Sequence, residues 1–81
     1  MKATLRDLEV GEIGTVSGYA RGAIAYREKL LAMGLTRGTE FMVARIAPMG
    51  DPVEIQLRGF ALTLRKDEAS ALIVERGSGH E

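Results

Sequence analysis

The apolar spacing of this chain changes twice, and those changes constrain the fold more than any other feature. Ala23, Tyr26, Leu30 and Met33 fall on one helical face, with Arg27, Glu28 and Lys29 around the other sides. On either side of this segment the pattern is strand-like. Gly34 supplies the left-handed residue that lets a helix end, and Leu35 can fold back onto the last turn. A single helix over residues 23–33 is therefore predicted inside an otherwise β chain.

The remaining segments read as short strands. Residues 13–19 are rich in Gly, Thr and Val, and Gly11, Gly14 and Gly18 in and around them suggest bends or close backbone approach, as at the corners of a small barrel. Residues 39–46 carry β-formers and read as the longest strand. Val53, Ile55 and Leu57 alternate with polar residues, and after a turn at Gly59 so do Phe60, Leu62 and Leu64, which predicts a hairpin with one apolar face. Phe41 and Phe60 both fall in strand patterns and are expected in the core. Residues 66–70 resemble one helical turn, and Leu72, Ile73 and Val74 a closing strand. The expected fold is mainly β: a small SH3-like barrel of about five strands with one inserted α-helix. It is one domain over residues 1–76, and residues 77–81 are expected to be a disordered tail.

Several function classes fail on the residues available. The chain has no cysteine and one histidine, His80 in the tail, so a Ser-His or Cys-His arrangement cannot be built. No Gly-rich loop precedes Lys-Ser or Lys-Thr ahead of a helix, so a phosphate cradle of that type is absent. The expectation is a protein that is not an enzyme and needs no cofactor. Thiolate and imidazole metal sites are excluded by the same count, and the closest pair of carboxylates for a harder cation is Asp51 with Glu54. Adventitious metal contact through His80 and nearby carboxylates is the exception left open.

Eleven basic residues balance eleven acidic ones, so no net field draws the chain to nucleic acid or anionic lipid. The middle is locally basic, with Arg21, Arg27, Lys29, Arg37, Arg45 and Arg58, but exposed aromatics do not interleave these charges as a stacking surface requires. No nucleic-acid partner is expected. No segment approaches the ~20 apolar residues of a membrane span, and the first residues lack a signal-peptide apolar run. The chain is expected to be cytoplasmic, not membrane-embedded, and open to recruitment at the inner face of a membrane.

What remains is contact. In residues 47–52, Ala-Pro-Met-Gly-Asp-Pro, two prolines hold a loop around Met49. Fixed φ angles lower the entropy lost on docking. The candidate partner-binding residues are Arg27 and Lys29 on the polar helix face, Met33 and Leu35 at the helix end, and Met49 and Asp51 in the loop. Core packing is the competing role for Met33 and Leu35, and turn stabilisation for Asp51. An exposed apolar patch could also serve self-association.

These residues carry a resemblance. Ala25-Tyr26-Arg27, Lys29-Leu30-Leu31, Met33-Gly34-Leu35 with Gly38, and the loop at 47–52 together resemble the FeoA family, small cytosolic proteins of the bacterial ferrous-iron transport system. The resemblance extends from about residue 5 to residue 75, through 62–65 and the strand at Ile73 and Val74. Many relatives carry Leu where this chain has Met49, a change that keeps volume and apolarity. The ending at residues 78–81 has no dependable family counterpart. The resemblance implies an SH3-like barrel and an accessory or regulatory role through contact with the GTPase-containing cytosolic part of the membrane permease FeoB. It implies the alternative of a free-standing adaptor resembling the C-terminal domain of iron-dependent repressors. Transition-metal binding then describes the pathway rather than a ligand held by this chain. The enzyme-class role left is indirect, with Arg27 or Arg37 acting in trans on the partner's GTP turnover.

Overall fold

The computed structural model describes residues 2–77. Six strands and two helices follow one another as β1 (Lys2–Thr4), β2 (Ile13–Tyr19), α1 (Ile24–Ala32), β3 (Glu40–Ile46), β4 (Val53–Leu57), β5 (Phe60–Leu64), α2 (Lys66–Ala71) and β6 (Leu72–Arg76). The strands form one sheet in the order β1-β6-β2-β3-β4-β5, and every neighbouring pair is antiparallel. Register shifts between Val16 and Gly18 and between Val43 and Arg45 bend the sheet, as extra residues in a ladder do. The result is an SH3-like barrel.

The apolar alternation read from the sequence decides which side of each strand faces in. Val16, Phe41, Val43, Ile55, Leu64, Leu72 and Val74 meet in a single cluster, joined by Leu5 and Leu8 from the segment after β1. Leu30 is the helical residue that enters this core outright, while Ala23 and Met33 pack against its margin. The helix ends where Gly34 takes φ 97°. Gly34 N–H donates to the Leu31 carbonyl and Leu35 N–H to the Leu30 carbonyl, both at 3.0 Å. That pair of bonds is the Schellman closure, and it drives Leu35 into the core beside Leu30.

The structure adds to the expectations, or departs from them, at four places. The sheet has a sixth strand, β1, whose three residues pair with β6 from Lys2↔Glu75 to Thr4↔Ile73; three residues are too few to display alternation. The turn after β5 is a longer helix, α2, of six residues. Tyr26 is not core: it stays more than a third exposed, and its hydroxyl donates to Asp67 Oδ2 at 3.4 Å. Phe60 is 45% exposed; it opens β5, the strand at one edge of the sheet. Its Cζ instead stands 3.7 Å from the position a Gly34 Cβ would take, so the ring shields the helix end. The expected tail at 77–81 lies, from residue 78 on, outside the described residues, as does His80.

Candidate functional site

A groove of about 410 Å³ opens between the second half of α1, the loop before β4 and the β5–α2 junction. Its lining is Lys29, Met33, Asp51, Pro52, Thr63, Arg65 and Glu68. Three residues that the sequence singled out, Lys29, Met33 and Asp51, therefore share one depression. Helical spacing explains the first two: positions four apart stand one above the other on the same face.

The loop wall is built residue by residue. Ala47 N–H donates to the Pro52 carbonyl at 3.0 Å, and Gly50 N–H to the Ala47 carbonyl at 2.9 Å. Pro48 starts this tight turn. Asp51 does more than stabilise its own turn: its Oδ1 accepts from Lys66 N–H at 3.0 Å, tying the loop to the start of α2. At the apex Met49 takes φ 71°, ψ 9°, the one positive φ outside glycine among the described residues. Its side chain is 94% exposed. Left-handed backbone costs an L-residue roughly 1–2 kcal/mol, and here that cost holds an apolar side chain out in water.

The opposite wall carries a buried charge that the sequence reading passed over. Glu68 is 4% exposed. Its Oε2 pairs with Lys29 Nζ across the two helices, and its Oε1 accepts from Arg65 N–H at 2.9 Å. The hydrogen bond from the Lys29 ammonium holds the Glu68 carboxyl below the usual carboxylate range against burial, which pushes it up; the Arg65 N–H adds to the lowering. The signal was present: a Glu three residues past the N-cap position, here Arg65, is where an acid reaches back to the N-cap N–H of a helix.

Two of the singled-out residues lie elsewhere. Leu35 is fully buried, so it has the packing role and offers a partner no side-chain surface. Arg27 is absent from the groove and lines a separate cavity with Tyr19 and Arg37. Arg27 and Lys29 do not form one polar face, because two positions along a helix turn by about 200°. A further groove of about 400 Å³ runs along β2, β3 and β4 past Ile13, Phe41, Met42 and Leu57, with Ile13 and Met42 half-exposed.

Chemically the groove presents the Lys29–Glu68 pair, a second cation in Arg65, the Asp51 carboxylate held by Lys66 N–H, and apolar surface from Met33 and Pro52. Ser70, the nearest hydroxyl on α2, donates to the Lys66 carbonyl within its own helix. Asp51 and Glu54 do not converge on a cation: Asp51 holds Lys66 N–H, and Glu54 faces Arg45 at 3.8 Å. Among the described residues no three His, Cys, Asp or Glu side chains cluster as metal ligands do. Among the described residues no helix is long and apolar enough to cross a membrane.

Comparison with known proteins extends this picture. A FeoA domain model matches residues 3–76. A fusion of Fe(2+) transport protein A with the Fe(2+) transporter FeoB, from Porphyromonas gingivalis, is 28% identical over 71 residues, covering 88% of this chain. The chain spans about 8% of the length of that relative. The solution structure of a FeoA-like protein from Clostridium acetobutylicum is 38% identical, covers 99% of this chain and 92% of its own, and superposes with a TM-score of 0.85. A manganese-dependent transcriptional repressor shares the fold alone, at 14% identity and a TM-score of 0.85 over 94% of this chain and 41% of its own. From β1 to the end of β6 the matched segment and the barrel coincide, and the chain belongs to the FeoA family.

Proposed function

We propose that this chain is an accessory protein of ferrous-iron uptake that acts by docking, through the Met49 loop and the groove beside it, on the cytosolic region of the FeoB permease. The observation that carries the reading is Met49, an apolar side chain held 94% exposed on left-handed backbone. Strain of this kind persists where a function uses it. The fused relative supports the choice of partner, since there the two proteins are one polypeptide. The groove chemistry favours a segment with an apolar side chain beside an acidic one, the first against Met33, with Met49 on the adjoining loop, the second against Arg65, since Lys29 already pairs with Glu68. In this reading the chain works in the cytoplasm, is recruited to the membrane by its partner, and performs no chemistry itself.

The test is paired. Met49→Asp replaces the apolar tip with a charge at a site remote from the core. Affinity for the isolated FeoB cytosolic region, measured by calorimetry, is expected to fall at least about tenfold, a modest loss for a hot-spot residue, with an unchanged melting temperature. Unchanged affinity with an unchanged melt moves the docking surface elsewhere.

A further inference from the structure

Away from the groove, the segment joining β2 to α1 forms a smaller cavity of about 220 Å³ whose charge has one sign. Arg21, Arg27 and Arg37 line it with Tyr19 and Ile24, and among the described residues no carboxylate does. The ion pairs among the described residues involve Lys29, Arg45 and Arg76, and none of these three arginines. On a chain whose acidic and basic residues balance, this is a local concentration of unneutralised positive charge. Like charges around one depression repel, and an anion between them relieves the repulsion.

Two of the guanidiniums lie against fixed neighbours. Arg27 Cζ stands 6.0 Å from the centroid of the Tyr19 ring, at the outer reach of a cation–π contact. That ring is itself anchored, since the Tyr19 hydroxyl donates to the Leu35 carbonyl at 2.6 Å. Arg37 lies along the bare backbone of Gly18, its terminal nitrogen 3.9 Å from where a Cβ would stand. Ala23 at the start of α1 contributes no side-chain cap, and no acid occupies the first turn, so backbone donors add to those of the arginines.

We propose that this cavity is an anion site that takes a phosphate group. Guanidinium forks match phosphate oxygens two at a time, with geometry an ammonium lacks. Several cations also suit a group able to carry more than one negative charge. The volume sets the scale: sites that bury whole small molecules run to about 300–1,000 Å³, so this one holds a phosphate head and leaves the rest of its bearer outside. Ile24, 70% exposed at the rim, offers that remainder an apolar surface. The phosphate comes either from a soluble phosphate compound or from a lipid headgroup. The site is independent of the docking surface proposed above.

The test uses the full chain in two arms. In the first, amide NMR spectra are followed during titration with inorganic phosphate at constant ionic strength, against chloride. In the second, binding is measured to phosphatidylglycerol and to phosphatidylcholine vesicles. The variant is the double substitution Arg27→Gln, Arg37→Gln. Saturable shifts over residues 20–27 with phosphate, weakened about tenfold or more in the variant as charged hydrogen bonds are lost, support the site with a soluble phosphate. Binding to phosphatidylglycerol alone, weakened as much in the variant, supports it with a lipid phosphate. A response absent from both arms, or equal in wild type and in a variant with native amide dispersion, overturns the proposal. Should the double variant lose that dispersion, Arg21→Gln decides: a clear loss of affinity supports the site, and unchanged affinity overturns it.

Discussion

The Phe41 ring occupies the space where a side chain at Gly14 would begin: an added Cβ would lie 2.7 Å from Phe41 Cζ. The two residues face each other across the β2–β3 ladder, and Leu8 closes the same space from the other side at 3.1 Å. Phe41 is buried, so its ring cannot swing out to make room. The glycine is what allows an aromatic ring at the base of a barrel this small.

Gly14→Ala is therefore expected to destabilise the fold by about 1–3 kcal/mol, the usual cost of overpacking a filled core. Chemical denaturation checks it. A rescuing second change, Phe41→Leu, should recover part of the loss, because it withdraws the atoms that clash.

The Lys29–Glu68 pair makes stability depend on pH with a defined sign. The folded Glu68 pKa lies below its unfolded value of 4.5. Its contribution is then fully present above that value and is lost as pH falls through the folded pKa. Glu68→Gln should cost about 1–3 kcal/mol at pH 7, as expected for loss of hydrogen bonds to a charged buried group. The gap between wild type and variant should narrow as pH falls below 4.5 through the folded pKa. Melting curves of both proteins between pH 3 and pH 7 measure it, and a gap independent of pH would assign the residue a packing role.

Tyr19 links the first long strand to Leu35, the residue after Gly34 at the end of α1, through its bond to the Leu35 carbonyl. Tyr19→Phe removes that bond and keeps the ring under Arg27. A loss of about 0.5–1.5 kcal/mol is expected, read as a shift in denaturation midpoint with an unchanged slope.

Much of this architecture was legible because it rests on local periodicity. The bounds of β2 and α1, the hairpin of β4 and β5, and the C-terminal strand follow from apolar spacing and from the glycines that punctuate it. The parts that escaped depend on what lies across the barrel. β1 is defined by its partner rather than by its own residues. Phe60 alternates like a core residue but sits on an edge, and alternation does not reveal which strand is last. The groove was half legible. Residue types marked Lys29, Met33 and Asp51, but only the fold brings them together and sends Arg27 to another cavity. Glu68 escaped because an acid in the first turn of a helix is ordinarily solvated, and its burial needs α1 packed against α2.

Met49 offers the sharpest test, because its backbone and its side chain make opposite demands. At φ 71° the residue stands where glycine is at ease and methionine is not. Met49→Gly relieves that strain and exposes no core surface, since the side chain already stands in water. Stability is expected to rise by up to about 1 kcal/mol, the relief being partly offset by the greater freedom of glycine in the unfolded chain. Affinity for the FeoB cytosolic region is expected to fall, because the apolar tip is gone and the loop loses some of its fixed shape. Denaturation and calorimetry on the same variant give both readings. A rise in stability with undiminished binding would mean that the methionine is tolerated there for no docking purpose, and the docking surface would have to be sought along the groove at Ile13 and Met42.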